Sequence, residues 1–99
     1  MATYKAPLED MRFVLNDVFK ADQLWASMPA TAEVTQDLSD AILEEAGKMT
    51  EGLLFPLNRN SDEQGCTWND GEVTTPDGFK DAFKTFAENG WSAFSGNPE

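Results

Sequence analysis

Among side chains that do chemistry, histidine is missing altogether, since none of the 99 residues is His. That removes the commonest general base, the commonest metal ligand and the usual partner of a nucleophilic Ser or Cys. What remains is mostly carboxylate. Glu9-Asp10, Glu44-Glu45 and Asp62-Glu63 stand as adjacent pairs, and paired carboxylates do acid and base work where their surroundings hold them apart in pKa. Each pair falls on a predicted polar helix face or in a polar loop, so solvated faces and helix starts are the expectation. Asn58, Asn60 and Asp62 alternate as the oxygen ligands of a calcium loop do, but such a loop needs Gly at its sixth position and Glu at its twelfth. Those positions hold Glu63 and Asn69, and the match fails at both.

Cys66 is the single cysteine, with only Arg59 as a nearby base. Without a cation or His to draw out its thiolate it reads as structural or incidental, and with one cysteine no intramolecular disulfide forms. Lys80 and Lys84, four apart, have the spacing to hold a phosphate, although Asp81 between them points to a solvated face. Gly90 and Gly96 stand alone, outside any dinucleotide or P-loop fingerprint. Trp25, Trp68 and Trp91 have the chemistry of a ligand groove, yet aromatics at helical spacing or beside a turn serve core or interface more often.

The elements that position these residues follow from the apolar pattern. Leu8, Met11, Val14, Leu15, Val18 and Phe19 recur at three- and four-residue steps, predicting an amphipathic helix from Pro7 to Phe19, with Pro7 in its first turn and Glu9 and Asp10 at the positive end of its dipole. A short helix follows, capped by Asp22, burying Leu24, Trp25 and Met28 and stopped by Pro29. Thr35 is the expected N-cap of the longest helix, whose stripe is Leu38, Ile42, Ala46, Met49, Leu53 and Leu57. Gly47 and Gly52 weaken it by about 1 kcal/mol each if interior and exposed. Pro56 predicts a kink near residue 52 or an end by Asn58, because it cannot donate to residue 52.

Asn58 to Thr74 reads as a loop containing a small hairpin, with Trp68 and Val73 flanking an Asp70-Gly71 turn that supplies positive φ. Thr75-Pro76-Asp77 predicts a helix start, and Phe79, Ala82, Phe83, Phe86 and Ala87 give that helix an aromatic face. Gly90 is placed to end it in a left-handed conformation. Trp91 and Phe94 then sit in a Gly- and Ser-containing tail closing at Asn97-Pro98-Glu99, as in a larger protein cut short.

Charge and composition narrow the partners. The formal net charge is −11, with 18 acidic against 7 basic residues spread evenly along the chain. Nucleic-acid phosphates and anionic lipid are repelled. With 40% apolar and 11% aromatic residues the chain folds, and at this length one modest core is the ceiling. The longest apolar runs are three residues, so neither a signal peptide nor a membrane span fits, and a reducing cytoplasm is the expected setting.

Specific strings then align with a known family. Tyr4-Lys5-Ala6-Pro7-Leu8, Met11-Arg12-Phe13-Val14-Leu15-Asn16, Asp37-Leu38, Ala41-Ile42-Leu43-Glu44-Glu45 and Pro56-Leu57-Asn58-Arg59 resemble the opening of the long-form acyl-CoA dehydrogenases. The resemblance runs on through Asp62, Gly65-Cys66, Thr74-Thr75-Pro76, Gly78-Phe79-Lys80 and Gly90-Trp91. It implies an all-α fold with three principal helices and a short β-hairpin. Residues 1–34 are expected as an N-terminal helical extension, and residues 35–99 as the start of the N-terminal helical domain, truncated at its end.

The resemblance implies a flavoprotein parent of fatty acid metabolism that oxidises an acyl-CoA to the 2,3-enoyl-CoA with FAD. There a glutamate takes the α proton while hydride passes to the flavin, and electrons leave to an electron-transfer flavoprotein. Its implied partners are the remaining domains of the chain and further copies of the enzyme. The family's catalytic glutamate and flavin-holding positions lie in later domains, so no catalytic, cofactor-binding or metal-binding residue is assigned, and the 99 residues alone are expected to be inactive. The rival expectation is a complete small acidic helical interaction module that docks a basic partner.

Overall fold

A computed structural model describes residues 3–96. It is mostly helical with one two-stranded antiparallel hairpin, the all-α architecture with a minor hairpin that the sequence predicts. The chain divides into two compact units, one ending at Gly52 and the other starting at Leu53.

In the first unit, α1 (Leu8–Arg12) passes directly into a π-helical segment, Phe13–Val18. The predicted single helix is thus half α and half π. Its last bond runs from Phe19 N–H to the Val14 carbonyl, a five-residue step in place of four. Pro7 is the N-cap residue and not the first helical one; its missing N–H costs nothing in either place. Lys20 turns the chain with φ 49°, and α2 (Ala21–Ala26) starts after it. Asp22 therefore sits inside the first turn and Lys20 takes the cap position assigned to it. Pro29 opens a 3₁₀ turn, Pro29–Thr31, and the Thr31 hydroxyl donates to the Trp25 carbonyl at 2.9 Å.

Helix α3 (Gln36–Met49) begins as predicted, with Thr35 Oγ1 accepting from Leu38 N–H at 3.2 Å. Gly47 is buried on it, and a Cβ there would meet Ala6 Cβ and Leu8 Cδ1 at 3.4 Å. The N-terminal segment therefore passes close to the helix at this glycine.

Thr50–Leu54 is a second π-helical stretch, followed by α4 (Phe55–Gln64) with Pro56 in its first turn. The disturbance expected near residue 52 is present and takes this widened form: Pro56 has no N–H for the Gly52 carbonyl, and its ring needs room there. The helix does not end by Asn58. It continues to Gln64, since Asn58 to Glu63 are exposed on at least one side and tolerate helical geometry, and Gly65 (φ 67°) stops it.

Strands β1 (Thr67–Asn69) and β2 (Glu72–Thr74) pair with Trp68 opposite Val73 and Asn69 opposite Glu72. Asp70 (φ 50°) and Gly71 (φ 85°) form the two-residue turn, both in the left-handed region that a type I′ hairpin demands.

The next start signal is displaced. Helix α5 (Phe79–Glu88) opens at Phe79 behind Gly78, whose φ of 90° prevents a helix from beginning at Pro76. Thr75 is therefore not its cap. Gly90 (φ 82°) ends α5 as expected, and Trp91–Ala93 form a single 3₁₀ turn in which the Trp91 and Phe94 rings lie 5.7 Å apart. Asn97-Pro98-Glu99 lie outside the described residues.

Little is deeply covered. Among the described residues, the buried apolar side chains are Ala21, Pro76 and Ala82, and no large side chain is fully buried. Phe13, Phe19, Leu24, Trp68, Val73, Phe83 and Phe94 are all more than half exposed, although Phe19, Leu24 and Phe83 belong to predicted inner faces.

Candidate functional site

The carboxylate pairs are held apart from any shared chemistry. Glu9 and Asp10 lie in the first turn of α1. Glu45 accepts from Lys48 Nζ at 3.1 Å on the exposed face of α3, and this hydrogen bond, with the charge of Glu45, raises the Lys48 pKa above the ordinary lysine value. Glu63 accepts from Arg59 Nε at 2.9 Å along α4. Asn58, Asn60 and Asp62 are all on that helix, where two-residue steps turn side chains by about 200° and prevent three of them from converging on an ion. Among the described residues no three His, Cys, Asp or Glu side chains are grouped to hold a metal.

Cys66 is an exposed free thiol between α4 and β1. Lys84 pairs with Glu88 at 3.9 Å. Trp68 stands on the hairpin with 69% of its surface exposed, and Trp91 packs on Phe94.

Two arrangements went unpredicted. In the first unit, Arg12, Asn16 and Asp40 meet: Asn16 Nδ2 donates to Asp40 Oδ1 at 3.3 Å, and Arg12 Nε lies 3.8 Å from the same oxygen. Arg12 Nε and Asn16 Oδ1 are both buried without a hydrogen-bond partner. The signal in the sequence is the four-residue step from Arg12 to Asn16, a polar pair at helical spacing beside an apolar stripe. In the second unit, Gln64 Oε1 accepts from Asp77 N–H at 2.9 Å and Gln64 Nε2 donates to Asp77 Oδ1 at 3.4 Å. One side chain thereby ties together both ends of the segment that carries the hairpin. A thirteen-residue separation leaves no periodic trace in the sequence.

Two apolar depressions complete the picture. One, about 350 Å³, is lined in the first unit by Asp10, Met11, Val14, Leu15 and Leu43. The other, about 310 Å³, lies in the second unit between α4 and α5, with Leu54, Leu57, Phe79, Phe83 and Phe86 among its walls and Asn58 and Ser61 at its polar edge. Neither lining includes a Lys or Arg side chain.

No protein-family model matches the chain. A curated protein does: 3-methylmercaptopropionyl-CoA dehydrogenase of Ruegeria pomeroyi is 31% identical over 93 residues, which is 94% of this chain. The chain resembles an acyl-CoA dehydrogenase. It spans only 16% of that dehydrogenase's length. No helix of the described residues is long and apolar enough to cross a membrane.

Proposed function

We propose that these 99 residues serve as the N-terminal part of an FAD-dependent acyl-CoA dehydrogenase, with residues 1–34 as a helical extension and residues 35–99 as the start of its helical domain. The observation that carries this is the 31% identity to a dehydrogenase running through 94% of the chain while covering 16% of the relative. The exposure of Phe13, Phe19, Phe83 and Phe94 supports it, because apolar rows of this kind are covered when further layers of a domain are present.

In this role the segment is structural. It supplies a wall beside the acyl and flavin site and contacts between domains or subunits, and it holds no group that moves a proton or hydride. No flavin-holding residue is assigned to it: the two depressions are lined without Lys or Arg, and the sequence carries no glycine-rich phosphate fingerprint. The parent enzyme would oxidise an acyl-CoA to the 2,3-enoyl-CoA, pass electrons to an electron-transfer flavoprotein, and assemble as a homo-oligomer in the cytoplasm.

The test starts from the gene. We expect an open frame past codon 99 whose longer product is yellow and bleaches on addition of 3-methylmercaptopropionyl-CoA, while the 99-residue chain does neither. A stop at codon 100, or a longer product that takes up no flavin, overturns the proposal.

A further inference from the structure

The apolar depression between α4 and α5 is a concave surface of the second unit. Phe79, Phe83 and Phe86 recur at steps of four and three along α5, on the side facing Leu54 and Leu57. Ala82, only 5% exposed, lies between them as a small floor residue. Two helices that present apolar rows to one furrow leave room for the ridge of a third. Yet Phe83 remains 67% exposed, so the furrow is only half of a packing arrangement.

We propose that this furrow seats an apolar helix ridge supplied by the same polypeptide beyond residue 99. The inference rests on the fragment role proposed above. Three features favour this occupant over a small molecule or a second copy. The depression is an open trough without cations, which suits a side-chain ridge better than an acyl-CoA headgroup. In the matched relative 100% − 16% = 84% of the chain lies outside the part that this sequence covers, so covering structure is available within one polypeptide. A second copy would bring another −11 of charge to the contact.

Thiol accessibility tests the assignment. In a Cys66→Ser background, Phe83→Cys is introduced into the 99-residue chain and into the longer product of the open frame, and labelling by N-ethylmaleimide is timed. Asn58→Cys, on the exposed polar edge of the same furrow, is the second reporter should loss of the Phe83 ring disturb folding. Chains that keep Cys66 give the reference rate for an exposed thiol.

The expected result is fast labelling of Cys at 83 and 58 in the short chain. In the longer chain both should slow by about tenfold or more, with Cys66 unchanged, because a covered thiol reacts only through local opening. Equal rates in the two chains overturn the furrow assignment while leaving the fragment role intact. Protection in the short chain that grows with protein concentration overturns it in favour of a second copy. Absence of any open frame beyond codon 99 overturns both proposals together.

Discussion

Gly78 is the glycine whose identity is most tightly fixed. Its φ is 90°, and a Cβ there would lie 2.6 Å from Leu57 Cδ2. Gly78→Ala must therefore strain the backbone and displace a neighbour, and should lower stability by about 1–3 kcal/mol, read as a reduced urea midpoint. Gly52 provides the contrast, since nothing lies within 4 Å of a Cβ placed there. Lys48 offers a second check at the same scale. Its pKa is raised by its hydrogen bond to Glu45 and then by the charge of Glu45, so the folded state holds that proton more tightly than the unfolded chain does. The stabilising contribution is complete below the ordinary lysine range and is lost as pH rises through the raised value. Helix content followed by circular dichroism through strongly alkaline pH should show this small loss in the parent sequence, and Lys48→Met should remove it.

At the scale of elements, local chemistry made some features legible and contacts distant in sequence concealed others. The Asp70-Gly71 turn and the Thr35 cap follow from side-chain and φ requirements that act within three residues, and both stand where the sequence places them. The start of α5 does not, because the Thr75-Pro76-Asp77 signal competes with Gly78 and with Gln64, which takes Asp77 N–H. The Arg12, Asn16 and Asp40 cluster was equally hidden, joining positions 28 and 24 residues apart. Gln64→Ala should leave α4 and α5 intact but loosen the hairpin segment, raising the rate of limited proteolysis between residues 65 and 76. An unchanged cleavage rate would show that the Gln64 clamp contributes nothing. The π-helical segment Phe13–Val18 carries its own test. Phe19 N–H reaches back five residues to Val14, so removing exposed Asp17 shortens that step to the four of an α-helix. The deletion should retain helical circular dichroism, whereas a one-residue deletion within α3 should reduce it.

For the whole molecule, charge and burial act in the same direction. A net charge of −11 on 99 residues opposes compaction through self-repulsion. Raising NaCl from low to moderate concentration should screen it and increase Tm by a few degrees; a flat profile would mean that the charges are too dispersed to matter. The buried apolar side chains among the described residues are small: Ala21 and Ala82, each a single methyl, and the ring of Pro76. In the language of hydrogen exchange, the described residues of the chain include no fully buried large side chain to set a slowly exchanging group of amides apart from the rest. Its backbone protection should then span a narrow range, with helix ends and helix centres differing by little, because nearly every opening exposes only a modest increment of apolar surface.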